Sequence, residues 1–309
     1  MIDLKKVYKG KKCLVTGGKG FIGSALVKAL RALDADVYVL DNRHTDRIDI
    51  RTYDTVLNAI NYSDCVFHLA AKTEVAESTI DPYAYYSTNV LGTMNVLLAC
   101  RWYETKSVVI GSTDKVYGNQ RIPYKESMNL LSSSDPYSNS KRSADIIAQD
   151  MRSMFNMPII ILRSCNTYGP GQDNDTTLIV RSIKNLLSGK SPVVHIGMES
   201  AIREWLYIND AVKAYLYAGA FNLLNFPNSG IWNVGSGECR SVIEVISAIK
   251  NNLNIFNPSV TCNDNVERVS EQSVNCSEMK KAIQQYLDVK WEPIRFDEGI
   301  KRTIDYFKN

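Results

Sequence analysis

Short, wholly apolar runs alternate with segments of helical periodicity through the first half of the chain. Lys12–Thr16 (KCLVT) predicts a buried strand closed by glycines. Phe21–Leu33 carries Phe21, Ile22, Ala25, Leu26, Ala29, Leu30 and Leu33 at helical spacing. Val37–Leu40 and Cys65–Ala70 predict two more strands, and Tyr83–Trp102 a long helix with Asn89 and Gly92 inside it. Ser107–Ser112 predicts a strand, Pro136–Phe155 a helix and Pro158–Arg163 a further strand. Strands that are apolar throughout and separated by helices predict an α/β fold, a doubly wound parallel sheet covered on both faces. After Cys165 the pattern loosens. Turn-rich stretches at 169–175, 225–230 and 234–238 separate short elements, and Glu298–Phe307 has a helical pattern. This half predicts a smaller, irregular domain closing over the edge of the sheet.

At about 150 residues per domain, 309 residues fit two domains, or one large domain with an appendage. The 36 Lys and Arg residues nearly balance 33 Asp and Glu, a net charge of +3, which supplies no basic footprint for nucleic acid. A hydrophobic content of 45% with 22% charged residues excludes a disordered or collagen-like chain. No apolar run approaches the roughly 18 residues of a membrane helix. Met1–Lys12 lacks the apolar core and small-residue cleavage site of a signal peptide. Cys13, Cys65, Cys100, Cys165, Cys239, Cys262 and Cys276 never form a CxxC pair, which predicts reduced thiols and a cytoplasmic protein. His44, His68 and His195 stand in no metal-binding spacing, so no metal is expected.

The first chemical signal is Thr16-Gly-Gly-Lys-Gly-Phe-Ile-Gly23, between the first strand and the first helix. It reads as GxGxxG from Gly18, Gly20 and Gly23, or as GxxGxxG from Gly17, Gly20 and Gly23. Such a loop, with Phe21 and Ile22 opening the helix, turns tightly and lets a pyrophosphate approach the helix N-terminus. The second strand ends at Asp41, about 20 residues on, where an acid accepts hydrogen bonds from an adenosine ribose. Asn42 stands beside it, and Asp49 and Ile50 are candidate contacts to the adenine. The acid favours NAD over NADP, although Arg43 is nearby.

The second signal is Tyr137-Ser-Asn-Ser-Lys141 on a predicted helix, where i and i+4 share a face. A phenol titrates near 10, too high for a base at neutral pH. A neighbouring ammonium, helped by an oxidised nicotinamide ring, is expected to lower it, so that Tyr137 can take a proton from a sugar hydroxyl while hydride leaves the same carbon.

With these motifs in place, the chain resembles the extended short-chain dehydrogenase/reductases, in particular their nucleotide-sugar epimerases and dehydratases. The resemblance spans nearly the whole chain. TGGKGFIG, HLAA (68–71), TNVLGT (88–93), STDKVYG (112–118), PYSNSK (136–141), RSCNTYGPGQ (163–172), REWLYINDAVKAY (203–215) and WNVGSG (232–237) occur in the family's order. It implies a Rossmann-type NAD-binding domain over 1–165, with 203–220 returning to it, and a mainly substrate-binding domain over 166–309. It further implies a nucleotide-diphosphate sugar substrate and a homodimer built on the helices Tyr83–Trp102 and Pro136–Phe155.

By the same resemblance Thr113 joins Tyr137 and Lys141 as the hydroxyl of a triad, bonding the sugar's 4-hydroxyl oxygen. Leu69, Ala70 and Ala71 place backbone against the cofactor, His68 is structural, and Asn89 bonds main chain near the nicotinamide. Asn166, Arg203 and Arg268 are the substrate-binding candidates, Arg268 reading equally well as a solvated charge. The pair Asp114-Lys115 is the sharper signal. Epimerases of the family carry small or uncharged residues there, 4,6-dehydratases Asp-Glu, and a CDP-glucose dehydratase-like subgroup Asp-Lys. A 4-ketone acidifies the C5 hydrogen, so a base must take it while an acid protonates the departing C6 hydroxyl. Hydride returned to C6 then gives a 4-keto-6-deoxy sugar. Asp114 is the candidate acid and Lys115 the candidate base, or Lys115 simply binds a phosphate or sugar oxygen. The resulting expectation is an NAD-dependent nucleotide-sugar 4,6-dehydratase, with a 4-epimerase or a 4-keto-sugar dehydrogenase/reductase as alternatives.

Overall fold

A computed structural model describes residues 2–42, 49–227, 230–255, 260–265 and 270–308. The first half runs α1 (Leu4–Tyr8), β1 (Lys12–Thr16), α2 (Phe21–Ala32), β2 (Asp36–Leu40), α3 (Tyr53–Ile60) and β3 (Cys65–His68). It continues through α4 (Val75–Ile80), α5 (Pro82–Tyr86), α6 (Gly92–Trp102), β4 (Ser107–Thr113), α7 (Pro136–Phe155) and β5 (Ile159–Ser164). The second half contains β6 (Asn166–Tyr168), α8 (Leu178–Leu187), β7 (Val193–Ile196), β8 (Ile202–Tyr207), α9 (Ile208–Leu223) and β9 (Ile231–Val234). It ends with β10 (Cys239–Ser241), α10 (Val242–Leu253), β11 (Thr261–Asn265), β12 (Glu271–Gln272), α11 (Ser277–Leu287) and α12 (Phe296–Lys308).

The main sheet has the order β2-β1-β3-β4-β5-β9, with every pair parallel. Because successive strand residues point to opposite faces, each strand divides its side chains between two cores. Cys13, Val15, Cys65, Phe67, Val109, Ile160 and Leu162 join one cluster with residues of α2 and α9. Leu14, Val66, Val108, Ile110, Ile159 and Ile161 join another with residues of α3, α6 and α7. Two apolar faces explain why the strands read as uninterrupted apolar runs. Strand order reverses between β1 and β3, and ligands bind outside the carboxyl ends of strands at such a point.

Beyond residue 165 the chain comes back to this sheet twice. α9 packs on α2 and lies over β3, β4 and β5, and β9 pairs with β5. The rest builds small sheets, β10-β8-β12 with β6 on β8, and β11 on β7.

The helix expected over Tyr83–Trp102 is interrupted. Between α5 and α6, Ser87–Leu91 forms a wider π turn, a feature frequent at functional sites. Strand β3 ends at His68, two residues short of the expected Ala70, so that Leu69–Ala71 leave the sheet. Among the described residues no helix is long and apolar enough to cross a membrane.

Candidate active site

A cavity of about 1960 Å³ opens outside the carboxyl ends of β1, β3 and β4 and is walled by both halves of the chain. Its first wall is the glycine loop. Gly17 has φ +69, and a Cβ there would fall 2.7 Å from the Ala70 nitrogen. A Cβ on Gly23 would fall 2.1 Å from the Gly17 carbonyl oxygen, so the start of α2 seats only a glycine. Gly17, Gly20, Phe21, Ile22 and Gly23 line the cavity, whereas Gly18 packs against Val39, which selects the GxxGxxG reading. No side chain caps the N-terminus of α2 at Gly20. Its first amides are therefore a ready seat for a phosphate.

Asp41, Asn42, Asp49 and Ile50 line the same end. Asp41 is buried, and its Oδ2 accepts from the Lys19 amide at 2.9 Å, so the acid also holds the glycine turn. Asp49 accepts from the Arg51 amide and side chain, with Nε at 2.9 Å and Nη2 at 2.6 Å, and this pairing holds its carboxyl below the usual range. The isolated sequence pattern did not show Arg51 on this wall. Arg43 lies outside the described residues.

Leu69–Ala71, also on the wall, are held by a buried chain of hydrogen bonds. Thr93 Oγ1 donates to the Asn89 carbonyl at 2.6 Å, so it accepts from His68 Nε2 at 2.9 Å. The remaining ring nitrogen, Nδ1, then accepts from Thr16 Oγ1 at 2.7 Å, and Thr16 accepts from the Ala70 amide at 3.1 Å. This network requires a neutral imidazole. Burial, with Lys141 adding to it, pushes the His68 pKa down to about 3. Within the π turn, Asn89 takes the Lys72 amide on Oδ1 at 2.8 Å and donates Nδ2 to the Lys72 carbonyl and to Ser140 Oγ. Ser140 donates to the Tyr137 carbonyl at 2.7 Å. Asn89 thus links the cavity wall to the helix that carries the tyrosine.

That helix, α7, starts with Pro136 in its first turn and the Asp135 side chain accepting from the Ser138 amide at 2.7 Å. Tyr137 and Lys141 follow on one face, at 8% and 9% exposure, and both line the cavity. The expectation that Lys141 lowers the Tyr137 pKa is not met by the chain's own groups. Lys141 Nζ donates to the Gly111 carbonyl at 2.6 Å, and burial pushes its pKa down to about 8 against the pull of Asp145. Burial, then the Asp114 charge, raise the Tyr137 pKa well above the ordinary phenol value, opposed by hydrogen bonding from Thr113. An anionic Tyr137 therefore calls for positive charge brought into the cavity, which an oxidised nicotinamide ring provides. The glycine cradle, the uncapped helix amides and this requirement all fit NAD.

Thr113, at the end of β4, donates to Asp114 Oδ1 at 3.1 Å and accepts from the Lys115 amide at 3.3 Å. Thr113 and Lys115 line the cavity. Asp114 does not. Expected as a partly buried acid at the sugar, it is 0% exposed, with Oδ2 buried and without a hydrogen-bond partner among the described residues. The turn after β4 rolls its carboxylate behind Thr113, where it acts electrostatically on Tyr124, Tyr137 and Glu204.

At the opposite wall Asn166 on β6 sits beside Trp205 on β8, and Arg203 lies two residues away on the same face. Arg203 Nη1 donates to the Ile202 carbonyl at 2.7 Å and the Ser270 carbonyl at 3.1 Å. Asn166 Nδ2 is buried without a partner among the described residues, a donor suited to a ligand oxygen. Arg268 lies outside the described residues. Unforeseen wall residues include Glu74, which accepts from Asn174 and Thr176 of the loop after β6, and Tyr215 on α9. Neither stands in a spacing that betrays a contact across 100 residues.

Residues 13–235 match the model of the NAD dependent epimerase/dehydratase family. The human dTDP-D-glucose 4,6-dehydratase is 26% identical over 96% of this chain and 90% of its own length. The crystal structure of the Thermus thermophilus UDP-glucose 4-epimerase in complex with NAD superposes with a TM-score of 0.84 at 28% identity, covering 96% of this chain and 99% of that one. The dTDP-glucose 4,6-dehydratase DesIV from Streptomyces venezuelae, with NAD and TYD bound, gives 0.85 at 26% identity, covering 96% and 97%.

Proposed function

The chain belongs to the NAD-dependent epimerase/dehydratase family, and from that premise we propose that it is a nucleotide-sugar 4,6-dehydratase. The observation that carries the reading is the Asp114-Lys115 pair beside Thr113, one member on the cavity wall and the other directly behind it. The glycine loop, Asp41 and Asn42, Asp49 and Ile50, Leu69–Ala71, Tyr137 and Lys141 hold NAD, with Asn89 positioning the wall. Bound NAD supplies a hydride acceptor and, once reduced, a hydride donor, so the net reaction consumes no other oxidant. Thr113 hydrogen-bonds the 4-hydroxyl oxygen of the sugar and Tyr137 removes its proton. With a ketone at C4, Lys115 on the wall takes the C5 proton. For this step Asp114 is neutral and the Thr113–Asp114 hydrogen bond reversed. Asp114 gives its proton to the Thr113 oxygen as Thr113 passes its own to the departing C6 oxygen, and Lys115 returns a proton to C5 when C6 is reduced. Asn166, Arg203 and Arg268 bind the nucleotide diphosphate, the arginines offering geometry suited to phosphate.

A second reading, a nucleotide-sugar 4-epimerase, is favoured by the sealed position of Asp114, because a C4 inversion needs no proton donor at C6. Incubation with UDP-, dTDP-, CDP- and GDP-hexoses in deuterated water separates the two. A 4-keto-6-deoxy product labelled at C5 is expected; inversion at C4 without label rejects the dehydratase. Lys115→Ala is expected to lower water loss by at least ~100-fold, the scale of a lost general base, while leaving NAD binding intact. Undiminished dehydration would remove Lys115 from its role.

Exposed apolar side chains, among them Tyr83, Leu91, Trp102, Ile146 and Met154, lie on α5, the π turn, α6 and α7. A second copy of the chain covers them in this reading, giving a homodimer. Sedimentation at a single-chain mass of 34.7 kDa at micromolar concentration argues against it.

A further inference from the structure

Tyr215 is a buried residue of α9, 3% exposed, whose side chain reaches the cavity from the layer opposite α7. Its hydroxyl lies over Gly111, on the face of the sheet that α9 covers. A Cβ on Gly111 would fall 2.7 Å from the Tyr215 hydroxyl oxygen, so the missing side chain is the space the phenol occupies. The other side of Gly111 is engaged too, since its carbonyl accepts from Lys141 Nζ at 2.6 Å. The two phenols, Tyr215 from one layer and Tyr137 from the other, therefore border the cavity close enough to interact electrostatically. The Tyr215 hydroxyl makes no hydrogen bond to the described residues and borders the cavity, which leaves its O–H available to a ligand there.

We propose that Tyr215 is a coenzyme-positioning residue, its phenol O–H donating to the nicotinamide end of the dinucleotide, with the carboxamide oxygen as the acceptor of matching chemistry. Burial, with the neighbouring Tyr137 adding to it, raises the Tyr215 pKa, so the phenol keeps its proton across the neutral range. The inference rests on the NAD reading of the cavity and adds a ligand from the far helix layer.

Tyr215→Phe removes one oxygen and keeps the ring that fills the space over Gly111. Titration calorimetry with NAD and with ADP-ribose, which lacks the nicotinamide, in the absence of any nucleotide sugar reads the effect directly. The expected result is a roughly 2- to 12-fold weaker NAD Kd, the range for one hydrogen bond, with ADP-ribose affinity unchanged and Tm within about 2 °C of wild type. An unchanged NAD Kd overturns the inference, as does an equal loss for ADP-ribose, which marks a general structural effect. Wild-type protein that binds neither ligand overturns the coenzyme reading itself.

Discussion

Removing Asp145 tests how the sheet supports the reacting end of the cavity. Arg163 on β5 and Asp145 on α7 form a bidentate pair, Nη2 to Oδ1 at 2.7 Å and Nε to Oδ2 at 3.0 Å, with side chains 1% and 0% exposed. Ser112, next to Thr113, donates to Asp145 Oδ2 at 2.6 Å, and Arg163 also donates to the Tyr117 hydroxyl at 3.0 Å. Asp145→Ala strands a guanidinium in the interior, a change that costs about 3–5 kcal/mol. An unfolding entropy of about 2.1 cal/mol/K per residue over 309 residues gives roughly 0.65 kcal/mol/K, so Tm should fall by about 5–8 °C. Replacing both partners with apolar residues, Asp145→Leu with Arg163→Met, should recover more than half of that loss, because no charge is left unpaired. Differential scanning calorimetry of the three proteins at pH 7 reads both quantities. A single variant within about 2 °C of wild type, or a double variant worse than the single, refutes the reasoning.

Lys141 gives a stability effect with a definite sign. Its amine lies near 8 in the folded chain against 10.5 for the free group. Between about pH 8 and 10 the unfolded chain binds more protons at this position, so folding gains stability as pH rises through that window. The stability of wild type relative to Lys141→Met, from urea unfolding at half-unit steps, should climb from pH 8 to 10; a falling difference contradicts the burial argument. Gly23→Ala places a methyl 2.1 Å from the Gly17 carbonyl oxygen and should weaken NAD binding by at least ~10-fold in calorimetry, which normal affinity would disprove. Asn166→Ala removes a donor without a partner among the described residues and should weaken UDP or dTDP binding by roughly 2- to 12-fold, with NAD affinity as the unaffected control.

Local chemistry made much of this legible in the chain itself. The strands β1, β3, β4 and β5 are visible because both of their faces are buried, and Tyr137 with Lys141 because one helical turn separates them. What escaped depends on partners distant in sequence. Residues 231–234 sit among turn signals, and only pairing with β5 makes them the strand β9. The π turn at Ser87–Leu91 leaves an apolar pattern that still reads as plain helix; it is maintained by Asn89 and Thr93 bonds that no periodicity records. The full burial of Asp114 follows from the turn after β4, whereas the resemblance carried by the Asp-Lys pair gave the expectation of a partly buried acid at the sugar. Gly111 and Tyr215 are informative only as a pair, and their complementarity exists in the packed layers alone.

The position of α9 has a consequence for dissecting this protein. The helix that covers Phe67, Val109, Ile160 and Leu162 is synthesised after β8 and so belongs, in chain order, to the half that supplies Arg203. A fragment cut at residue 165 would keep every glycine of the phosphate loop and yet display to water the stretch of sheet over β3, β4 and β5 that α9 covers. Dinucleotide affinity in this protein is therefore not a portable property of its amino-terminal half: excision should yield an aggregating piece, and a graft that carries the loop must carry its late-arriving cover as well.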